Sequence, residues 1–260
     1  MSAVLAPAHT TQQRTLTGRT VVVLHAHPDD EAIFTAATMH RLARRGARVV
    51  LVTATAGELG PVLRPLRRDE TLPGRRRAEL ERSAAVLGVA RLVLLGHRDS
   101  GMAGWGSNAH PYALAAAPVD RVAGRLAALC AQEGAEALLH YDPRGIYGHP
   151  DHVAVHRIGA AAAARAGIPG YEATVAVDRP RTRRPHLVDR AAGAAVGWAA
   201  GGITTVVTAD AADLRAKRRA MAAHGSQIPR DAVRRAGFAA AYGREWFRRS
   251  GDPGLLDVLL

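Results

Sequence analysis

Four consecutive aliphatic residues, Val21-Val22-Val23-Leu24, run directly into His25-Ala26-His27-Pro28-Asp29-Asp30-Glu31. An unbroken apolar run of this length fits a strand of a parallel sheet covered on both faces. Its abrupt end in three carboxylates and two imidazoles needs a reason. In open α/β sheets, ligands sit just beyond the carboxyl ends of the strands. His27, Asp29 and Asp30 therefore stand where such a sheet does chemistry.

The rest of the chain repeats this alternation. Ile33, Phe34, Ala37, Leu42 and Ala43 have helical spacing, predicting a helix over 31–45 with Glu31 at its start and Gly46 as C-cap. A second strand follows over 49–52, an aperiodic Arg/Pro-rich loop over 61–74, a helix over 75–87 and a third strand over 92–95. Beyond a Gly/Ala/Asn-rich excursion over 102–118, a helix (119–132), a strand (137–140), a helix (151–166) and a strand (171–177) are expected. The stretch 178–202 has no readable pattern. A further strand over 203–207 and a helix over 210–223 close the series, with Asp210 near the helix start. The expected fold is one α/β domain spanning 1–260: a doubly wound, mostly parallel, Rossmann-like sheet with helices on both faces, behind a flexible arm over 1–17.

Composition narrows the function. The formal charge of +12 raises nucleic acid as a partner, but Lys217 is the only lysine and the arginines accompany abundant Ala and Gly, the mark of GC-rich coding. Aromatic residues make up 4% of the chain and leave few platforms for stacked bases, so nucleic acid is disfavoured. No run reaches the ~18 apolar residues of a membrane span, and nothing resembles a signal peptide. Cys130 has no partner for a disulfide within the chain, in keeping with a reducing, cytoplasmic setting.

In the common strand order 3-2-1-4-5, strands one and four flank the switch point. That brings His27-Pro28-Asp29-Asp30 beside His149-Pro150-Asp151-His152. Two imidazoles and a carboxylate with an open fourth position suit catalytic Zn2+, and the same set accepts Fe2+. A purely structural polar cluster is the alternative.

These motifs make the resemblance specific. Ala26 to Glu31 and Gly148 to His152 are similar to the two signature motifs of the PIG-L/LmbE-like N-deacetylases. Weaker matches run through Gly57-Glu58, Arg76 and Glu79, Arg98 to Met102, and Ala223 to Gln227. The resemblance implies that His27, Asp30 and His152 are the zinc ligands and Asp29 the general base. It makes His149 the acid or an oxyanion-stabilising cation, with Asp151 holding its tautomer and Tyr147 near the oxyanion. Arg76, Asp99 and Glu58 match positions that hold substrate, although surface salt bridging would explain them too.

Other residues have plainer readings. His25 suits the core or a supporting place behind the ligands, His156 packing on its helix, Tyr147 a turn aromatic, and Glu31 a helix-start charge. Trp105, Asn108 and His110 would wall a sugar pocket. The activity implied is metal-dependent removal of an acetyl or related acyl group from an N-acetylglucosamine-type sugar or glycosylated small molecule, in bacterial secondary metabolism. Two alternatives remain: a non-catalytic, metal-stabilised binding protein of the same fold, and an amidase cleaving a larger acyl group. A homo-oligomer is compatible with either.

Overall fold

The computed structural model describes residues 15–179, 186–188, 196–234 and 237–259. In chain order the main elements are β1 (Thr20–His25), α1 (Ala36–Arg44), β2 (Arg48–Thr55), α2 (Leu72–Leu87), β3 (Arg91–His97), α3 (Val119–Glu133) and β4 (Ala135–Tyr141). They continue with α4 (Pro150–Ala166), β5 (Gly170–Thr174), β6 (Thr205–Thr208), α5 (Ala211–Ala223), α6 (Arg230–Arg234), α7 (Phe238–Tyr242) and β7 (Arg244–Ser250). The sheet order is β3-β2-β1-β4-β5-β7-β6. The five strands from β3 to β5 are parallel, and β7 runs antiparallel to both its neighbours.

The aliphatic runs explain the centre. Every residue of β1 is buried, and Val21 aligns with Val49 on one side and Ala137 on the other. From β1 the connections step outward to β2 and β3, then return across the sheet to β4 and β5. Right-handed crossovers therefore put α1 and α2 on one face and α3 and α4 on the other. The packing agrees: α3 lies on α4, while α1, α2 and α5 pack together.

Several boundaries differ from the sequence reading. Residues 1–14 of the expected arm lie outside the described residues, but Leu16 is buried and donates its N–H to Arg45 O at 2.7 Å, so packed chain begins inside that arm. α2 starts at Leu72, because Thr71 accepts the Gly74 N–H and Pro73 suits a first turn, which places 72–74 in the helix and not in the loop. The expected helix over 31–45 opens with a wide π-turn, Glu31–Thr35, before α1. Such turns re-aim side chains and gather at functional sites. Here it lets Thr35 Oγ1 reach His25 Nε2 at 2.8 Å. β7 carries Glu245, Arg248 and Arg249 and matches no expected element.

Candidate active site

β1 and β4 are sheet neighbours, so the segments leaving their carboxyl ends meet. Each segment contains one backbone strain. Asp29 (φ 122°) and Ile146 (φ 65°) are the two non-glycine residues with positive φ among the described residues. Conformations of this kind cost on the order of 1–3 kcal/mol each and persist only where the surroundings enforce them. Asp29 is held by its N–H on Glu31 Oε2 (3.0 Å), its carbonyl on the N–H groups of Ala32 and Ile33, and its carboxylate on Arg76 Nη2 (3.1 Å). Ile146 is fully buried, donates its N–H to Asp142 Oδ1 (3.0 Å) and accepts the Gly197 N–H (3.1 Å). Beside it Gly145 packs so tightly that a Cβ would lie 2.7 Å from the His152 Cβ. The chain bends sharply there to bring His149 and His152 back over the sheet.

The imidazoles of His27, His149 and His152 each present a nitrogen within 4.8 Å of the others. Asp30 Oδ2 lies 3.3 Å from His27 Nδ1 and 3.3 Å from His152 Nε2. His27 Nε2 faces Asp151 Oδ2 at 3.1 Å and Asp99 Oδ1 at 3.7 Å. Burial alone would raise the Asp30 carboxyl, but the His152 and His27 imidazoles hold it well below the usual carboxylate range. His152 is fully buried, yet neither ring nitrogen has a hydrogen-bond partner. Three carboxylates converging on one imidazole, beside a buried ring with two orphaned nitrogens, fit a divalent cation held by His27, Asp30 and His152.

The remaining expected residues fall on several sides of this cluster. Burial pushes the Asp29 carboxyl up to about 6, against the opposing pull of Arg76. His149 caps α4: its Nδ1 accepts the Asp151 N–H at 3.1 Å, so the proton of the neutral ring sits on Nε2. Burial, with His27 and His152 nearby, lowers this imidazole to about 3. The sequence reading had the Asp151 carboxylate orient His149. Instead it takes His27 Nε2, the Ser100 N–H (3.0 Å) and the Ser100 hydroxyl. The cause is the cap itself, which brings the Asp151 backbone to His149 and turns its side chain across to β1. Half-buried Tyr147 lines the cavity, its phenol raised by burial and by Asp30, Asp29 and Asp99.

Arg76 is 3% exposed and donates to Gly57 O (2.7 Å), Pro28 O (2.5 Å) and Asp29. Asp99 accepts the N–H groups of Leu59 (3.1 Å) and Gly101 (2.8 Å). Glu58 accepts the Asp99 N–H (3.0 Å) but lines a different cavity, next to Arg77 and Tyr112. Glu31 does not cap α1. It is buried, with Oε1 on Ser83 Oγ (2.5 Å) and His224 Nε2 (2.6 Å). His25 is a core residue between the Tyr141 and Thr35 hydroxyls, and His156 Nδ1 faces Tyr141 O at 3.0 Å. The site cavity, about 450 Å³, is also lined by Met102 and Trp105 from the long excursion and by Leu187 and Val188 from the unreadable stretch. Asn108 instead braces the excursion through Ser100 O, and His110 lines the other cavity.

A family model described as GlcNAc-PI de-N-acetylase, PIG-L, matches residues 22–163. The chain belongs to the PIG-L family. Among PIG-L relatives, it is 43% identical over 166 residues to a 1D-myo-inositol 2-acetamido-2-deoxy-alpha-D-glucopyranoside deacetylase of Thermobifida fusca, covering 60% of this chain and 58% of the relative. A protein of the same name from Nakamurella multipartita is 40% identical over 234 residues, 80% of this chain and 79% of the relative. The chain thus spans little more than half of the Thermobifida protein. Two solved structures share the PIG-L fold: a deacetylase of the A40926 pseudoaglycone (TM-score 0.63, 18% identity, 89% of this chain and 97% of that one) and the N,N'-diacetylchitobiose deacetylase of Pyrococcus horikoshii (TM-score 0.56, 22% identity, 89% and 84%).

Proposed function

We propose that the chain is a metal-dependent hydrolase that removes the acetyl group from the acetamido nitrogen of an N-acetylglucosamine-type sugar or glycosylated small molecule, releasing acetate and a free amine. One observation carries the reading: Asp29, a carboxylate kept in a strained conformation, lines the same cavity as the donors His27 and Asp30 on its own turn, with His152 buried 3.3 Å from Asp30. The names of the curated relatives support it. The same proposal takes 1–260 as a single domain working in the cytoplasm, a setting that the free, buried Cys130 suits.

The donor set favours Zn2+ and also accepts Fe2+; when bound, such an ion polarises the amide carbonyl and lowers the pKa of water. Asp29, braced by Arg76, takes the proton of the attacking water. The His149 Nε2–H and the Tyr147 hydroxyl donate to the oxyanion that develops on the carbonyl. Asp29 then delivers that proton to the departing nitrogen as the C–N bond breaks, while the neutral His149 keeps its Nε2–H on the oxyanion. Asp151 orients His27 through the 3.1 Å contact.

The test pairs metal content with acetate release from N-acetyl sugars. The purified protein should carry about one divalent ion per chain, and Asp29→Asn should keep it while losing roughly 10²–10⁴-fold of turnover. His152→Ala should lose both. Full activity in Asp29→Asn, or a wild type that takes up no added zinc, would overturn the assignment.

A further inference from the structure

Resting on that reading, we propose that Trp198, overlaid by the guanidinium groups of Arg144 and Arg248, is a positioning residue: it clamps the strained turn at Ile146 and so aims the Tyr147 hydroxyl at the developing oxyanion. The turn itself poses the problem. With φ 65° and ψ −53°, Ile146 lies near the γ-turn conformation, which is rare and strained, and a β-branched side chain makes it more so. Its carbonyl has a second difficulty. The residue four positions on is Pro150, which has no N–H, so no helical bond can satisfy a carbonyl buried with the rest of Ile146.

Gly197 supplies what the helix cannot. Its N–H goes to Ile146 O at 3.1 Å, and its carbonyl accepts Arg144 Nη1 at 2.9 Å, so this one residue is tied to the turn from both sides. Only glycine fits there: its φ is 73°, and a Cβ would stand 2.0 Å from Val175 O. Trp198 then fixes the glycine in place. Its N–H reaches Val175 O and its carbonyl takes the Val177 N–H, each at 3.0 Å, while its ring centre lies 4.5 Å from the Arg144 guanidinium and 3.8 Å from that of Arg248. Cation–π attraction holds the indole against both. Arg248 is itself anchored, by Glu172 of β5 at 2.9 Å.

Tyr147 is the residue that needs the clamp. Asp142 holds the start of the turn through the N–H groups of Arg144 (2.9 Å) and Ile146 (3.0 Å), and His149 is fixed as the cap of α4. Between these anchors the Tyr147 ring rests against imidazoles, His152 at 4.9 Å and His149 at 6.2 Å between centroids. Its direction follows the dihedrals of Ile146, the residue before it. The matched family region ends at residue 163, so Gly197 and Trp198 lie outside the motifs that place the chain in its family.

The test uses zinc-loaded protein labelled with 3-fluorotyrosine, the Tyr147 fluorine line being assigned by its loss in Tyr147→Phe. Trp198→Leu removes the π face and keeps apolar bulk, whereas Trp198→Phe keeps a π face. In Trp198→Leu the Tyr147 line should shift or split, and Trp198→Phe should restore it. With N-acetylglucosamine as substrate, Trp198→Leu should lower kcat roughly 10- to 100-fold, leave KM within about threefold and keep about one zinc per chain. In a Tyr147→Phe background the same change should cost less than about twofold, because its route is already cut. An unmoved Tyr147 line, or equal losses in the two backgrounds, would overturn the proposal. Should Trp198→Leu fail to fold, Arg144→Ala, at an exposed side chain, removes the bond to Gly197 and one of the two cations, and the same outcomes apply. A moved line in a protein that releases no acetate from any N-acetyl sugar would uphold the clamp on Tyr147 and sink the deacetylase reading. Acetate release with an unmoved line would do the reverse.

Discussion

Glu31 and His224 lie 193 positions apart, yet they meet at 2.6 Å with neither side chain reaching solvent. Burial opposes both charges, and their mutual attraction overcomes it, raising His224 and lowering Glu31. Because Glu31 also holds the Asp29 N–H, the pair stands one bond behind the strained carboxylate. His224→Ala leaves a buried anion unpaired and should cost about 3–5 kcal/mol in urea unfolding. A loss below about 1 kcal/mol would show that the pair contributes little.

A second buried imidazole sets a pH limit on stability. Burial, helped by His156, holds His140 down to about 3 from its usual 6.5. The unfolded chain therefore binds the extra proton between these values, so this stability is complete above pH 6.5 and drains away as pH falls toward 3. The slope is at most about 1.4 kcal/mol per pH unit. Unfolding free energies at pH 7, 6, 5 and 4 should fall less steeply in His140→Asn than in wild type. Parallel curves would contradict this.

None of these pairings can be read along the chain. Sequence places His27, Asp30, His149 and His152 together because each follows a predicted strand. The partners of Glu31 and Asp151 come from distant segments whose meeting only the fold decides.

At the scale of elements, α1 begins where Glu245 of β7 accepts the N–H groups of Ala37 and Thr38, each at 2.8 Å, along with the Thr38 hydroxyl. Lys217 from α5 completes the cluster at 2.6 Å, with both side chains 1% exposed. One carboxylate thus ties a helix start, a second helix and a strand together. Lys217→Met should destabilise by about 3–5 kcal/mol in denaturant titration, and no measurable change would refute the role. The parallel strands were legible because burial on both faces demands continuous aliphatic runs. β7 was not, since its Glu245 and Arg248 serve internal ion pairs whose charges read as surface. The Thr71 cap carried a usable signal in Thr-x-Pro-Gly, obscured by the arginines on either side.

Across the whole molecule, the proposed metal donors come from two segments that meet only at the switch of the sheet, His27 and Asp30 after β1 and His152 on α4. An ion gripping both ties together the two directions in which the sheet is wound. Zinc at 100 times its dissociation constant should therefore stabilise the fold by about 2.7 kcal/mol, seen as a rise in Tm that Asp30→Ala abolishes. No shift in wild type would deny the linkage. The five-strand parallel sheet was visible in the sequence from alternation, and its order matches the common one for such sheets. The antiparallel edge was hidden, because β7 returns from beyond α7 to lie between strands that precede it in the chain.

That insertion has a consequence during synthesis. Among the described residues β6 pairs only with β7. On the ribosome, β1 to β5 can assemble as they emerge. β6, the Lys217 ammonium and the start of α1 must then wait, unpartnered, until residues 244–250 have left the exit tunnel.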